Sequence, residues 1–212
     1  MYVPPLFRIE RAACLAFAAA RGFGLVVASD GGRPVASPLP FHLSYRDDGS
    51  PRVAFHVARG NPLAALAALG GDWLIAVNGA DAYVSPDWYQ SPDQVPTWLY
   101  ETVQLSGPAR LMRPDLLREH LDHLSETFES WLAPKPVWSA EKVAPARREA
   151  LMKAIIGIEM DVELVEGSAK LNQNKSDADY AAVAAELRRG GRPMDHEIAA
   201  RMVALRPDLT YE

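Results

Sequence analysis

The hydrophobic positions change period several times along this chain, and each change marks an element. Residues 8–21 are rich in Ala and Leu and stop at Gly22, which predicts a helix closed by the residue favoured just past a helix end. Residues 24–29 are a compact apolar run with strand character, and Asp30-Gly31-Gly32 follows as a turn signal. Residues 34–45 form a second extended run. Asp47-Asp48-Gly49-Ser50 then turns the chain into a strand at 52–57. Two hairpin signals this close together favour an antiparallel sheet. Asn61-Pro62 supplies an N-cap and a first helical residue, predicting a short helix over 62–69 that Gly70-Gly71 ends.

Strand character returns at 73–77 and 82–84, and residues 85–96, with three prolines, read as an irregular loop. Residues 98–112 resume as a long strand with a kink expected at Gly107-Pro108. Over residues 115–131, Leu117, Leu121, Leu124 and Phe128 recur at helical spacing, which is the mark of an amphipathic helix. Pro134 and Pro136 break it, and residues 147–155 form another short helix. Next, Ile156, Ile158, Met160, Val162 and Leu164 alternate with Gly157, Glu159, Asp161 and Glu163, as in a half-buried strand with one wet face. Two helices, at 177–189 and 195–205, close the sequence. Five to seven strands with helices inserted between groups predict a mainly β architecture, an antiparallel barrel with peripheral helices (α+β).

Charge and composition narrow the function classes. The formal net charge of −5 over 212 residues opposes a broad electrostatic grip on nucleic acid, which needs clustered Lys and Arg. The single cysteine, Cys14, lies in an Ala-rich run and reads as a small core residue, consistent with a reducing cytoplasm. No signal peptide is apparent, and the apolar stretch around residues 12–20 is too short to span a bilayer. The expectation is a soluble cytoplasmic protein without a membrane partner. Nucleophile elbow, Walker A loop and zinc-protease signatures are absent. His120 and His123, one turn apart among Glu119, Asp122 and Glu126, read as a solvated helix face rather than a metal pair, so no metal is expected. The helix at 195–205 brings a single Arg to a would-be recognition surface, so two packing helices are favoured over a DNA-reading motif.

Three clusters carry candidate chemistry. Ser37-Pro38-Leu39-Pro40-Phe41 is an extended segment whose prolines leave backbone groups that a neighbouring strand cannot use. His56-Val57-Ala58-Arg59-Gly60-Asn61-Pro62 sets a cation directly before a helix N-terminus, a plausible phosphate site; the alternative is a surface arginine beside an ordinary cap. Lys170-Leu171-Asn172-Gln173-Asn174 packs a cation and three amides into five residues, and amides suit the edge of a heterocycle; the alternative is a capped loop.

These segments, with Met1-Tyr2-Val3-Pro4-Pro5-Leu6-Phe7, Ala82-Tyr83-Val84-Ser85-Pro86-Asp87-Trp88-Tyr89 and Val95-Pro96-Thr97-Trp98, resemble the PaiB-like family, described as FMN-binding negative transcriptional regulators. The resemblance runs in order from Met1 to about Asp179. It implies a split β-barrel related to the pyridoxamine-phosphate-oxidase-like flavoproteins, a homodimer with flavin sites between subunits, and FMN as cofactor. Carried over position by position, it implies flavin-site roles for Ser37, His56, Arg59, Asn61, Thr97, Trp98, Lys170, Gln173 and Asn174. It also implies a barrel domain over residues 1–166, followed by a motif loop and helical tail at 167–212. Pro38, Leu99, Gln104 and Asn172 depart from the family pattern. No residue declares itself acid, base or nucleophile, so no catalytic residue and no reaction is named. The expected role is flavin-linked sensing or redox chemistry with a regulatory output and little direct DNA reading. The alternative is a flavin-dependent oxidoreductase or haem-handling enzyme with no regulatory role.

Overall fold

The computed structural model describes residues 1–212. Helix α1 (Arg11–Arg21) leads into β1 (Phe23–Ser29), β2 (Pro34–Pro40), β3 (His42–Tyr45) and β4 (Pro51–Ala58). Helix α2 (Pro62–Leu69) precedes the long strands β5 (Asp72–Val84) and β6 (Thr97–Leu111). Helices α3 (Leu117–Ser130) and α4 (Pro145–Lys153) come before β7 (Ile155–Asp161) and β8 (Leu164–Lys170), and α5 (Asp177–Arg189) and α6 (Pro193–Leu205) finish the chain. The cap at α2 forms as its sequence predicts, with Asn61 Oδ1 accepting from the Leu63 amide at 2.9 Å.

Hydrogen bonding orders the strands β2-β1-β5-β6-β7-β4-β3, with β8 attached to β6. Strand β1 pairs antiparallel with β2 and β5, β4 with β3 and β7, and β6 with β7. The two ends of this order, β2 and β3, are separated in the chain by Phe41 alone. One nearly continuous extended segment therefore begins the sheet and ends it, which wraps the sheet into the expected antiparallel split barrel. Phe41 is 2% exposed, and its amide donates to the Gly22 carbonyl at 2.8 Å, which pins the bend. The prolines of β2 are tolerated because an edge strand has one side with no ladder to complete.

Residue contacts group the chain into two compact units. One consists of Leu15–Val77 and Gln104–Val165. Its interior is built from inward-facing strand residues, including Val26, Val53, Phe55, Ile75, Leu105, Ile158 and Met160, all fully or almost fully buried. The other consists of Met1–Cys14, Asn78–Val103 and Glu166–Glu212. There α5 and α6 bury Tyr180, Val183, Leu187, Ile198 and Met202 against Ala82, Val84, Leu99 and Leu171. The Tyr180 hydroxyl donates to the Met202 carbonyl at 2.9 Å, and burial pushes its pKa up to about 12.

The structure departs from the sequence pattern in three places. Residues 73–84 form one strand rather than two short ones. The alternating segment at 156–164 is split, with β7 ending at Asp161 and β8 starting at Leu164. Its supposed wet face is only partly wet: Glu163 is exposed, but Glu159 is 7% exposed, held by Arg52 and Arg110 at 3.1 Å each, while the partly buried Asp161 is held by Arg46 and, at 2.9 Å, by Arg110. Ion pairs to arginines of β4, β6 and the turn after β3 shield these two carboxylates, which period alone cannot reveal. Third, β6 runs unbroken through Gly107-Pro108. At Gly107, which has φ 159°, a Cβ would lie 2.0 Å from the Asp161 carbonyl oxygen. The Glu163 amide meanwhile donates to Ser106 O at 3.0 Å. The chain passes β6 at van der Waals contact just where β7 gives way to β8.

Gly107→Ala should therefore destabilise the protein by about 3 kcal/mol, the upper end of overpacking costs. Urea unfolding checks this; a midpoint equal to that of the parent would show that the two backbones can separate freely.

Candidate functional site

The nine residues singled out from the sequence fall into two groups, each within one unit. In the unit of Leu15–Val77 and Gln104–Val165, Ser37 on β2 and Asn61 before α2 meet directly: Asn61 Nδ2 donates to Ser37 Oγ at 3.1 Å. Asn61 thus uses its oxygen to cap the helix and its nitrogen to reach the edge strand. Arg59, two residues earlier, is exposed. Its Nε donates to the Lys153 carbonyl at 2.7 Å, at the end of α4, and its terminal guanidinium nitrogens stay uncommitted. A guanidinium, a serine hydroxyl and the first turn of a helix make a donor set that suits a phosphate.

His56 faces the opposite way from that set in chemical terms, because its ring is engaged by another histidine. His56 Nδ1 lies 3.2 Å from His120 Nε2, with ring centroids 5.4 Å apart and nearly edge-on. His42 on β3 stacks on His123 of α3, also at 5.4 Å. The reading of His120 as part of a solvated face is therefore wrong: it is 5% exposed. Position 120 follows Leu117 by three and precedes Leu124 by four, so it sits on the same buried stripe of α3, and that spacing was the available signal. Burial pushes its pKa down to about 3, with repulsion from His56, His42 and His123 adding to the effect. Burial likewise lowers His56, and burial with His123 and Arg52 lowers His42. No group of three or more His, Cys, Asp or Glu side chains is arranged to hold a metal ion.

In the other unit, Lys170 at the end of β8 donates to Thr97 Oγ1 at 2.5 Å, which joins the late motif to the start of β6. Gln173 is used locally: its Nε2 donates to the Ala169 carbonyl at 2.5 Å and its Oε1 accepts from the Leu171 amide at 2.7 Å, tying the loop shut. Asn174 is exposed. Trp98 is 49% exposed, edge-on to Tyr83 at 5.9 Å and beneath the Arg192 guanidinium. Asn172, one of the three amides of the late cluster and a departure from the family pattern, is not among the nine. It adopts φ 61°, is 2% exposed, and accepts from the Tyr89 hydroxyl at 3.3 Å. Its Nδ2 is buried without a partner, as is Ser168 Oγ on β8. Unpaired buried donors beside Lys170 are the kind of group that a heterocycle's acceptors complete. Leu99, another departure, is fully buried in the core of this unit.

The split antiparallel barrel thus carries a donor set of the kind that suits a phosphate and, separately, an amide-rich loop with buried unpaired polar atoms. Comparison with known proteins gives the family. Residues 1–164 match the family model FMN_bind_2, described as "Putative FMN-binding domain". Over 203 residues the chain is 32% identical to the protease synthase and sporulation protein PAI 2 of Bacillus subtilis (strain 168), covering 95% of this chain and 96% of that protein. The chain belongs to this PaiB-like FMN-binding family, and FMN is its cofactor. Among solved structures, the FAD and heme binding protein from Mycobacterium smegmatis superposes with a TM-score of 0.55 at 18% identity, over 82% of this chain and 78% of that one. The flavocytochrome Anf3 from Azotobacter vinelandii gives 0.52 at 20% identity, over 77% and 69%. At these identities the likeness is one of fold.

The histidine contacts make stability depend on pH. The lowered groups are neutral when folded and charge near 6.5 when unfolded, so their contribution is complete above pH 6.5 and shrinks as pH falls toward the folded values. Between pH 6.5 and 5, above the carboxylate range, unfolding stability should fall by about 1.4 kcal/mol per pH unit for each proton taken up. His120→Leu should flatten that slope by about one proton; urea titrations at the two pH values measure it, and an unchanged slope would remove His120 from the account.

Proposed function

We propose that the protein binds FMN as a homodimer in the cytoplasm and uses it for flavin-linked sensing or redox chemistry, with any regulatory output passing through a partner rather than through its own contact with DNA. The observation that carries this is the donor set at the start of α2: Arg59 with free terminal nitrogens, Ser37, and Asn61 bonded to it at 3.1 Å. These residues would hold the FMN phosphate. Bound flavin supplies one- and two-electron chemistry, which the protein positions and tunes. The residues assigned here bind and orient; none is assigned a proton transfer.

A dimer is supported by apolar side chains that remain on the surface, among them Phe23 and Leu25 on β1 and the Tyr83–Trp98 pair. A regulatory role draws on the name of the Bacillus relative, which concerns protease synthesis and sporulation. Against direct DNA reading stands the use of Arg201, the cation within α6. It forms a bidentate pair with Glu101, Nη2 to Oε1 at 2.8 Å and Nε to Oε2 at 3.1 Å, and Glu101 is 3% exposed. No helix is long and apolar enough to cross a membrane.

The test is a titration of flavin fluorescence in dialysed protein, comparing FMN with riboflavin, which lacks the phosphate. The parent should prefer FMN by about tenfold or more, and Arg59→Ala should lose that preference, about 1.4 kcal/mol. Equal affinities for the two flavins in the parent would overturn the phosphate assignment, and failure to bind either would overturn the function.

A further inference from the structure

A second cavity, of about 360 Å³, lies in the unit of Leu15–Val77 and Gln104–Val165, between α3 and α4. Most of its lining residues are apolar, among them Leu121 from α3, Trp138 and Val143 from the segment between the helices, Leu151 and Met152 from α4, and Ile155 at the start of β7. None of the residues placed in the flavin site belongs to it. At the roughly 30 Å³ that a water-sized group occupies in a liquid, it takes about a dozen non-hydrogen atoms.

Helix α4 is unusual in this fold because none of its residues is buried. Leu151 and Met152 line the cavity instead, and Leu151 is left 54% exposed. Apolar area held beside a concave wall, rather than packed in a core, is what a small apolar ligand covers.

The charges around the wall decide what kind of ligand. Arg118 and Asp122, one turn apart on α3, neutralise each other at 2.8 Å. Lys153 at the end of α4 is likewise paired, with Glu149 at 2.7 Å. The Ser125 hydroxyl is used by the Leu121 carbonyl. Arg148 is different: it lines the same cavity, its one hydrogen bond goes from Nη1 to the Ala140 carbonyl at 3.2 Å, and no carboxylate pairs with it. A guanidinium with unused donors beside an apolar wall suits a carboxylate, because its planar fork matches the two oxygens.

We propose that this cavity is a binding site for a small apolar carboxylate, its hydrocarbon body against Trp138, Leu151 and Met152 and its charge on Arg148. The site is independent of the flavin and holds whether or not FMN is bound.

Calorimetric titration of the full-length protein with octanoate and with octan-1-ol, its neutral counterpart, tests this. Octanoate should bind one site per chain, about tenfold or more tighter than the alcohol. Arg148→Gln should reduce octanoate to the level of the alcohol while leaving alcohol binding unchanged, and Leu151→Asp should weaken both ligands. Both substitutions are at partly or fully exposed positions, and circular dichroism verifies that the variants fold. Equal binding of acid and alcohol would show an apolar groove without a carboxylate site. Octanoate binding that survives Arg148→Gln would place the acid elsewhere, and the absence of binding at millimolar octanoate would remove the site altogether.

Discussion

Closure of the sheet rests on the bend at Phe41, because the strands on either side of that residue stand at opposite ends of the hydrogen-bond order. A chain can begin and finish a sheet with adjacent segments only if the sheet curls round to meet itself. Phe41 makes the bend by burying its ring and giving its amide to Gly22, at the end of α1. That places helix end and strand corner together, and a Cβ at Gly22 would come within 2.9 Å of the Phe128 ring from α3. The same bend leaves β2 as an edge strand, where prolines cost little and where Ser37 can turn to meet Asn61. The donor set before α2 is thus a by-product of how the barrel is shut.

Three carboxylates of this protein are paired with arginines from segments distant in sequence. Glu159 and Asp161 on β7 are gripped by arginines from the segments around them, and Glu101 by Arg201 from α6. Each acid would be costly to bury alone, and each pairing commits a cation that would otherwise be free for ligands. Arg46, Arg52, Arg110 and Arg201 are spent in this way, whereas the guanidiniums of Arg59 and Arg148 are less committed. One stands at a helix N-terminus beside hydroxyl and amide groups. The other stands at an apolar wall. The same functional group therefore points to two ligand chemistries, because its surroundings differ.

The histidines teach a related lesson about packing. Four of the five meet in pairs where α3 lies on β3 and β4, through one hydrogen bond and one stacked contact. Burial holds His42, His56 and His120 below the usual imidazole range, and neighbouring histidines add to the effect at His42 and His120.

What the sequence determined by itself is local. Helix α2 with its cap, the two C-terminal helices, the turns and the mainly antiparallel character follow from capping residues, glycines and hydrophobic period, which act over a few residues. The motif segments were also legible, including the pairing partners Ser37 and Asn61 as separate members of one family pattern, though not their contact. Tertiary structure alone decided the rest. It joined Lys170 to Thr97 across 73 positions and put His56 against His120 across 64. It buried Glu159 on a face whose alternation read as wet, and it turned Asn172 from a departure into a buried amide with an unpartnered donor. The physical reason is the same in each case: burial and pairing depend on which distant segments the strand order brings alongside, and periodicity reports the direction a side chain takes, not what it meets there.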